Sequence, residues 1–362
     1  MAVVLFLVIL IVLIVGHEAG HFIVAKLSGM KVPEFGLGFP PKIWGKKIGD
    51  TEYTINALPF GGFVKIFGED DAGVSDPRAF AKRPKILQVA TLAAGPFANL
   101  VLAFMFATVA FMVGVPTVID TEYEKSVVRD AKVLLVEILP GSPAQTAGLK
   151  AGDEIVSVTS DGTEQLIKNP LDVSDAILNT EGEIVISFIR NKEVQSTTVL
   201  PQAGIDPEHP EKRAIGIGPA LVGTLSLPIH EAFVKGMTDT VVKTQAIFSG
   251  LMSLIGSAFT LTADVSNIAG PVGIVSLVGD ASGFGLGSVL LFTALISINL
   301  ALVNLLPFPA LDGGRLALLF IETVIRRPIP PKFSDALNIG GFVLLILIML
   351  AVTAHDVVRL FG

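Results

Sequence analysis

The sequence predicts an α-helical polytopic membrane protein with about four transmembrane helices, a membrane-associated β-hairpin and one inserted α/β domain. Three observations predict it. Of 362 residues, 51% are hydrophobic and only 16% are charged, against about 25% charged in soluble domains. Four stretches stay apolar over roughly 20 residues, the length that crosses a bilayer as a helix. One region, about 130–200, instead alternates apolar and polar residues between turn signals at ordinary charge density. There are no cysteines. Disulfides, thiolate nucleophiles, iron–sulfur clusters and cysteine-type zinc sites are thereby excluded, so any metal must be held by His, Asp or Glu. A net charge of −7 without a basic stripe argues against nucleic acid as a partner.

The first apolar stretch runs from Ala2 to about Leu27. It lacks the basic start and small-residue cleavage site of a signal peptide, and it carries His17, Glu18 and His21 in its second half. The second, Ile86 to Pro116, contains no Asp, Glu, Lys or Arg. The third lies within Ala281 to Leu311 and the fourth is Ala336 to Ala354. Basic residues set the orientation. Lys42, Lys46, Lys47, Arg78, Lys82 and Arg83 fall between spans one and two, and Arg315, Arg326, Arg327 and Lys332 between spans three and four. Both stretches should be cytoplasmic, leaving the N-terminus, the 117–280 insertion and the C-terminus outside. A fifth span at the uncharged Thr244 to Ala263 would invert the later helices, so that segment is expected to be a surface-lying or partly buried helix. Four parts follow: 1–116, the N-terminal half of the membrane core; 117–204, an extracytoplasmic domain; 205–280, a surface or amphipathic segment; and 281–362, the C-terminal half of the core.

Within the insertion, Lys132 to Val136 reads as a strand, Ser142 to Gly148 as a short helix, and Asp153 to Val158 as a second strand ending in Ser160-Asp161-Gly162. Leu171 to Leu178 is helical, and Glu183 to Ile189 with Val194 to Leu200 forms a hairpin. The run PGSPAQTAGLKAGDEIVSV, 140–158, resembles the bacterial, protease-associated type of PDZ domain. That resemblance implies capture of a peptide or chain end by strand addition at a sheet edge.

The chemistry concentrates in GHEAGH, residues 16–21. Residues four apart share a helix face, so His17 and His21 can both address one ion. Glu18 stands beside them, where a carboxylate can take the proton of an attacking water. Ionisable groups in a spanning helix are costly and point to function; a polar patch for a neighbouring helix or a proton relay are the alternatives. Zinc catalysis requires a third protein ligand. The run NLLPFPALDGG, 304–314, offers Asp312. Pro307 and Pro309 would break the helix ahead of it, and Gly313 and Gly314 allow close backbone approach. A plain turn residue is the alternative, Asp-Gly being a common turn dipeptide. His17 lies ten residues before Leu27, ~15 Å along the helix, so Asp312 must dip inward from the cytoplasmic edge to meet it.

His-Glu-x-x-His in the first span, Leu311-Asp312-Gly313 in a late one and an inserted PDZ-type segment together resemble the site-2 protease family of intramembrane zinc metalloproteases, closest to the bacterial sigma-E-regulating type. GPFAN (95–99) and AGPVGI (269–274) match further segments of that family. The resemblance implies one Zn2+ per chain on His17, His21 and Asp312, with Glu18 as catalytic base. It implies hydrolysis of peptide bonds within or near transmembrane segments, in the bacterial inner membrane. Substrates would be single-pass membrane proteins already shortened on the outer side, such as anti-sigma factors, or signal-peptide remnants. YTINALPFGGFVKI (53–66) reads as two short strands around Leu58 to Gly62 that dip into the lipid bilayer; in the family a membrane-associated β-element pairs with substrate. FGLGFP (35–40) resembles the family's Gly-Phe-Gly loop. Substrate contacts are thus expected at Gly36, Gly38, Phe60, Gly61, Gly62, Asn99 and Asn304. For Asn99, helix packing is an equal reading, and for 53–66 so is an ordinary interfacial hairpin. The single PDZ, where the best-known enterobacterial member has two, leaves substrate selection open. The rival is a non-proteolytic membrane metal transporter or PDZ scaffold. A transporter would repeat its ligands in two halves, and no internal repeat is present.

Overall fold

The computed structural model describes all residues except 70–74, 120–127, 179, 181, 191, 206–210, 261–269, 328 and 362; of 59, 60, 258, 259, 331 and 359–361 it describes the backbone alone. Two compact units emerge, Met1–Phe111 with Ile229–Gly362, and Met112–Pro228.

The first unit begins with α1 (Ala2–Leu27), whose buried residues are Ile9, Leu13, His21 and Ala25. These fall on steps of four, so the packed stripe of the helix is the one that carries the histidines. Two strands follow, β1 (Glu34–Ile48) and β2 (Thr51–Lys65), joined at Gly49-Asp50, where Ile48 pairs with Thr51. The two expected strands around Leu58 to Gly62 are present and run in opposite directions, but they do not pair with each other: 34–37, part of FGLGFP, lies between 52–55 and 62–65. The cause lies in Gly38, whose φ of +79° and missing side chain let it lie against the Leu58 and Asn56 carbonyls. Residues 62–65 therefore close onto 34–37, with Leu37 opposite Gly62 and Glu34 opposite Lys65. Next comes α2 (Lys85–Val113), whose buried face is rich in small residues, including Ala94, Gly95, Ala103 and Ala107. It crosses α1 closely. A Cβ on Gly20 would overlap the Ala94 carbonyl and lie 2.7 Å from the Ala98 Cβ, and one on Gly16 would overlap Leu102. Small residues four apart are the usual device for such crossings in apolar surroundings.

The inserted unit contains β3 (Val115–Val118), β4 (Val128–Ile138), the short helix α3 (Pro143–Thr146), β5 (Glu154–Ser160), β6 (Thr163–Leu166), α4 (Pro170–Leu178), β7 (Ile184–Arg190), β8 (Glu193–Val199), β9 (Gln202–Ala203), β10 (Arg213–Ala214) and β11 (Ile217–Leu225). The main sheet runs β3-β11-β4-β5-β7-β8, with β6 on β5. Alternate residues of these strands, among them Leu135, Val158, Ile184 and Ile186, pack on Val173 and Ile177 of α4. The sheet reaches further than the 117–204 expected for this domain. β11 pairs with β4 from Ile217 opposite Ile138 to Leu225 opposite Val128, so 217–225 belongs to the sheet and not to a separate surface segment.

The chain returns to the first unit through α5 (Ile229–Phe259), α6 (Pro271–Gly283), α7 (Leu286–Leu305), α8 (Asp312–Ile325) and α9 (Pro331–Phe361). Ile247 and Leu251 of α5 pack against Ala103 and Ala107 of α2 and Ala294 and Ile298 of α7. Among the described residues four helical segments are long and apolar enough to cross a membrane: Ala2–Leu27, Lys85–Val113, Leu286–Leu305 and Lys332–Val358. The last is longer than the expected 336–354 and takes in Asp356. That buried carboxylate accepts the N–H groups of Gly270 (3.2 Å) and Gly273 (2.9 Å), capping α6 from outside the helix.

Candidate metal centre

Two turns of polypeptide, far apart in sequence, build the site. On α1, His17 and His21 project from the packed stripe one helical turn apart. Asp312 arrives from a different device. α7 ends at Leu305, the chain bends through Pro307 and Pro309, and a new helix, α8, starts at Asp312 itself. Ala310 in that bend has φ +72°, a left-handed conformation that a residue with a Cβ holds only when its surroundings enforce it. Here α9 enforces it. The Ala310 N–H donates to Asn338 Oδ1 at 3.3 Å, and Gly341 lies so close that a Cβ would sit 2.5 Å from Pro309 Cβ. The sequence's breakers thus act as expected: the helix stops, reverses locally and brings the carboxylate inward.

The three side chains meet. His17 Nε2 lies 3.0 Å from Asp312 Oδ2, His21 Nε2 lies 3.3 Å from the same oxygen, and the two Nε2 atoms are 3.2 Å apart. Ligands at about 2.0–2.1 Å from a tetrahedral zinc are separated from each other by about 3.3–3.4 Å. The triangle therefore has the size of one face of such a tetrahedron. Its chemistry fits as well: Asp312 Oδ2 is buried and accepts no hydrogen bond, and two imidazole nitrogens with one carboxylate oxygen suit zinc. Among the described residues this is the one cluster of three or more His, Asp or Glu that could hold an ion.

Each imidazole is braced at its far nitrogen. His21 Nδ1 lies 2.7 Å from the Thr91 carbonyl, to which it donates when Nε2 faces a metal. His17 Nδ1 lies 3.2 Å from the Asn99 amide. Both rings rest on Gly95 of α2. A Cβ there would overlap His21 Nε2 and lie 2.7 Å from His17 Nε2, so only glycine leaves room for them.

Glu18 borders two clefts. One, of about 260 Å³, is lined by Leu13, Ile14, His17, Gly61, Gly62, Asn99, Leu300, Asn304 and Asp312. The other, of about 370 Å³, is lined by His21, Phe39, Phe63, Val64, Glu69, Leu92, Asp312 and Arg315. Val64 lines the second cleft with Glu18, and Gly62 is close enough that a Cβ would lie 3.1 Å from Glu18 Cγ.

The fold thus brings Gly61, Gly62, Asn99 and Asn304 to the ligands. It does not bring Gly36 and Gly38, which lie one strand away, Gly36 opposite Phe63 and Gly38 against the Leu58 carbonyl. The Phe60 side chain lies outside the described residues. Sequence reasoning missed the supporting set: Gly95, Gly20, the Thr91 carbonyl, the clamp of Asn338 and Gly341, and the ion pair of Arg315 with Glu69 beside the second cleft. The four-residue spacing of Gly16 and Gly20 around His17 was the legible signal for the close crossing.

Comparison with known proteins gives the family. The model of peptidase family M50 matches residues 5–348. The chain is similar to a protein of Clostridium perfringens named for a zinc metalloprotease, 36% identical over 348 residues that cover 96% of this chain and 95% of that one. A Nostoc protein named in the same way is 34% identical, covering 96% and 93%. The regulator of sigma-W protease RasP of Bacillus subtilis is 28% identical, covering 99% of each. Among solved structures, the PDZ domain of the SdrC-like protein of Listeria innocua matches 24% of this chain and 92% of its own, at 22% identity and a TM-score of 0.20. A matching family model over nearly the whole chain, with relatives that share its length, makes this protein a zinc metalloprotease that belongs to peptidase family M50, the site-2 protease family.

Proposed function

We propose that this protein is an intramembrane protease, with zinc on His17, His21 and Asp312, that cuts peptide bonds within or near the transmembrane segments of single-pass membrane proteins. The observation that carries the reading is the triangle of three ligand atoms 3.0–3.3 Å apart, formed where a span-length apolar helix meets the bend after another.

A zinc ion held there supplies a Lewis acid that polarises the scissile carbonyl and acidifies a water. Glu18 accepts the proton of the attacking water and delivers it to the leaving amine nitrogen. Its position on the border of both clefts suits that double duty. A transmembrane substrate hides its carbonyls in helical hydrogen bonds and must be unwound before it can react. Residues 62–65, paired with β1 on one side and meeting Glu18 on the other, suit the addition of an extended substrate strand. Asn304 and Gly61 would line its path. Water has a route as well. The second cleft shares Glu69, Leu92 and Arg315 with a further polar cleft of about 320 Å³, lined also by Lys85, Gln88 and Glu322.

The four apolar helices and the distribution of basic residues favour four spans, with the active site toward the cytoplasm and the inserted unit outside, in a bacterial inner membrane. The PDZ-type unit then filters substrates by size, admitting those whose outer part has already been removed. A relative named as a regulator of sigma-W protease favours anti-sigma factors among the substrates, with signal-peptide remnants as a second class.

The test is cleavage of a model single-pass peptide in proteoliposomes, with products read by mass spectrometry. The proposal expects chelator-sensitive cuts inside the apolar segment. Cuts confined to the polar flanks would refute an intramembrane site.

A further inference from the structure

Two metal-facing imidazoles share α1, yet only one has a settled partner at its far nitrogen. For His21 the geometry dictates the tautomer: a carbonyl oxygen can only accept, so Nδ1 carries the proton and Nε2 is free for a metal. For His17 the facing group is the Asn99 side chain, with Nδ2 3.2 Å from Nδ1. If His17 Nε2 is a ligand, Nδ1 carries the proton, and two donors would face each other. Meanwhile Asn99 Oδ1 is buried without any hydrogen-bond partner, and Asn99 as a whole is 1% exposed. A half-turn of the amide about χ2 replaces the donor–donor contact with a hydrogen bond: it brings Oδ1 onto the His17 Nδ1–H and turns the NH2 to the side where Oδ1 now stands.

The backbone beneath the amide is also anchored. The main-chain carbonyl of Asn99 accepts a hydrogen bond from Ser297 Oγ of α7 at 2.7 Å, and Asn99 lies one helical turn beyond Gly95, on the face of α2 against which the imidazoles rest. We infer that Asn99 is a positioning residue for the metal: its Oδ1 accepts from His17 Nδ1–H, fixing the tautomer and the ring plane that present Nε2 to zinc. This rests on the zinc reading of the site. It assigns Asn99 to the metal's support and not to the substrate backbone, two roles with different signatures.

The experiment measures zinc affinity of purified protein by competition with a chromogenic chelator, beside cleavage of a model transmembrane peptide. Asn99→Leu keeps the branched shape, though it is larger, and removes the acceptor; Asn99→Asp keeps an acceptor at the same place. The inference expects zinc affinity to fall about 10–100-fold in Asn99→Leu, the size found when such outer partners are lost, and to be restored in Asn99→Asp. Wild-type affinity in Asn99→Leu with a raised KM for the peptide would overturn it in favour of substrate binding. Equal weakening in both variants would overturn it too, because a packing role does not distinguish an acceptor. Should Asn99→Leu fail to fold, 15N spectra of histidine-labelled wild-type protein decide: His17 must show a protonated, hydrogen-bonded Nδ1 and a metal-bound Nε2, and the opposite tautomer refutes the inference. His21→Ala serves as control. If it binds zinc like the wild type, the zinc reading fails and the inference falls with it; if it loses zinc while Asn99→Leu keeps wild-type affinity, the inference alone fails.

Discussion

The inserted unit and the membrane-type unit are built on opposite principles. In the first, order comes from a conventional apolar core: strands supply alternate residues such as Leu135, Ile184 and Ile186, a helix covers them, and a buried charge such as Asp153 is paired with Arg190. In the second, apolar side chains point outward as well as inward. Val4, Val8, Ile23, Val101 and Met105 are all exposed, as they must be if lipid is the solvent. What fixes the geometry there is close backbone contact at glycines and a few buried polar groups with assigned partners. The lesson is that the two units should respond differently to the same kind of substitution.

The largest expected effect is at the ligands. Asp312→Asn or His21→Ala should abolish stoichiometric zinc and all detectable cleavage, while leaving the inserted unit folded; elemental analysis and circular dichroism check both halves. Gly95→Ala comes next. The smallest possible side chain meets both Nε2 atoms, and overpacking of about 1–3 kcal/mol should lower zinc affinity by about 10–100-fold, read by chelator competition. Ile186→Ala probes the other principle. It should cost the inserted unit about 2–5 kcal/mol in denaturant titration, yet leave turnover of a short transmembrane peptide at the wild-type level. Loss of that turnover would show that the two units are energetically one. The smallest effect belongs to Ala310→Gly. Relief of a left-handed Cβ offsets the extra backbone entropy, so stability should stay within about 1 kcal/mol and activity unchanged, whereas Ala310→Val should weaken zinc binding by displacing Asp312.

How much of this was legible follows the same division. The strands and helices of the inserted unit could be read from alternation and turn residues, because a half-buried sheet writes its pattern into the chain. What escaped was the part of the sheet beyond β4, where β11 and then β3 join across long separations that no local pattern records, together with the short strands β6, β9 and β10. His17, Glu18 and His21 were legible because three ionisable groups in one apolar helix have no structural excuse, and the bend at Pro307 to Asp312 because its breakers are explicit. A transporter or scaffold, still open from sequence, gives way to the family shown by the comparisons. The strands around Leu58 to Gly62 were legible but their pairing was not: 34–37 inserts between them, and the second turn, Gly49-Asp50, lies among charged residues without a strong pattern. Gly95, Thr91 and Asn338 were invisible as site residues, since close approach and a backbone carbonyl leave no compositional trace.

The central claim is that zinc binding and proton transfer fall to different neighbours, His17 and His21 for the one and Glu18 for the other. Glu18→Gln separates them. Purified and reconstituted, that variant should hold one zinc per chain as the wild type does and cleave no transmembrane substrate; undiminished turnover, or loss of the metal together with activity, would contradict the account.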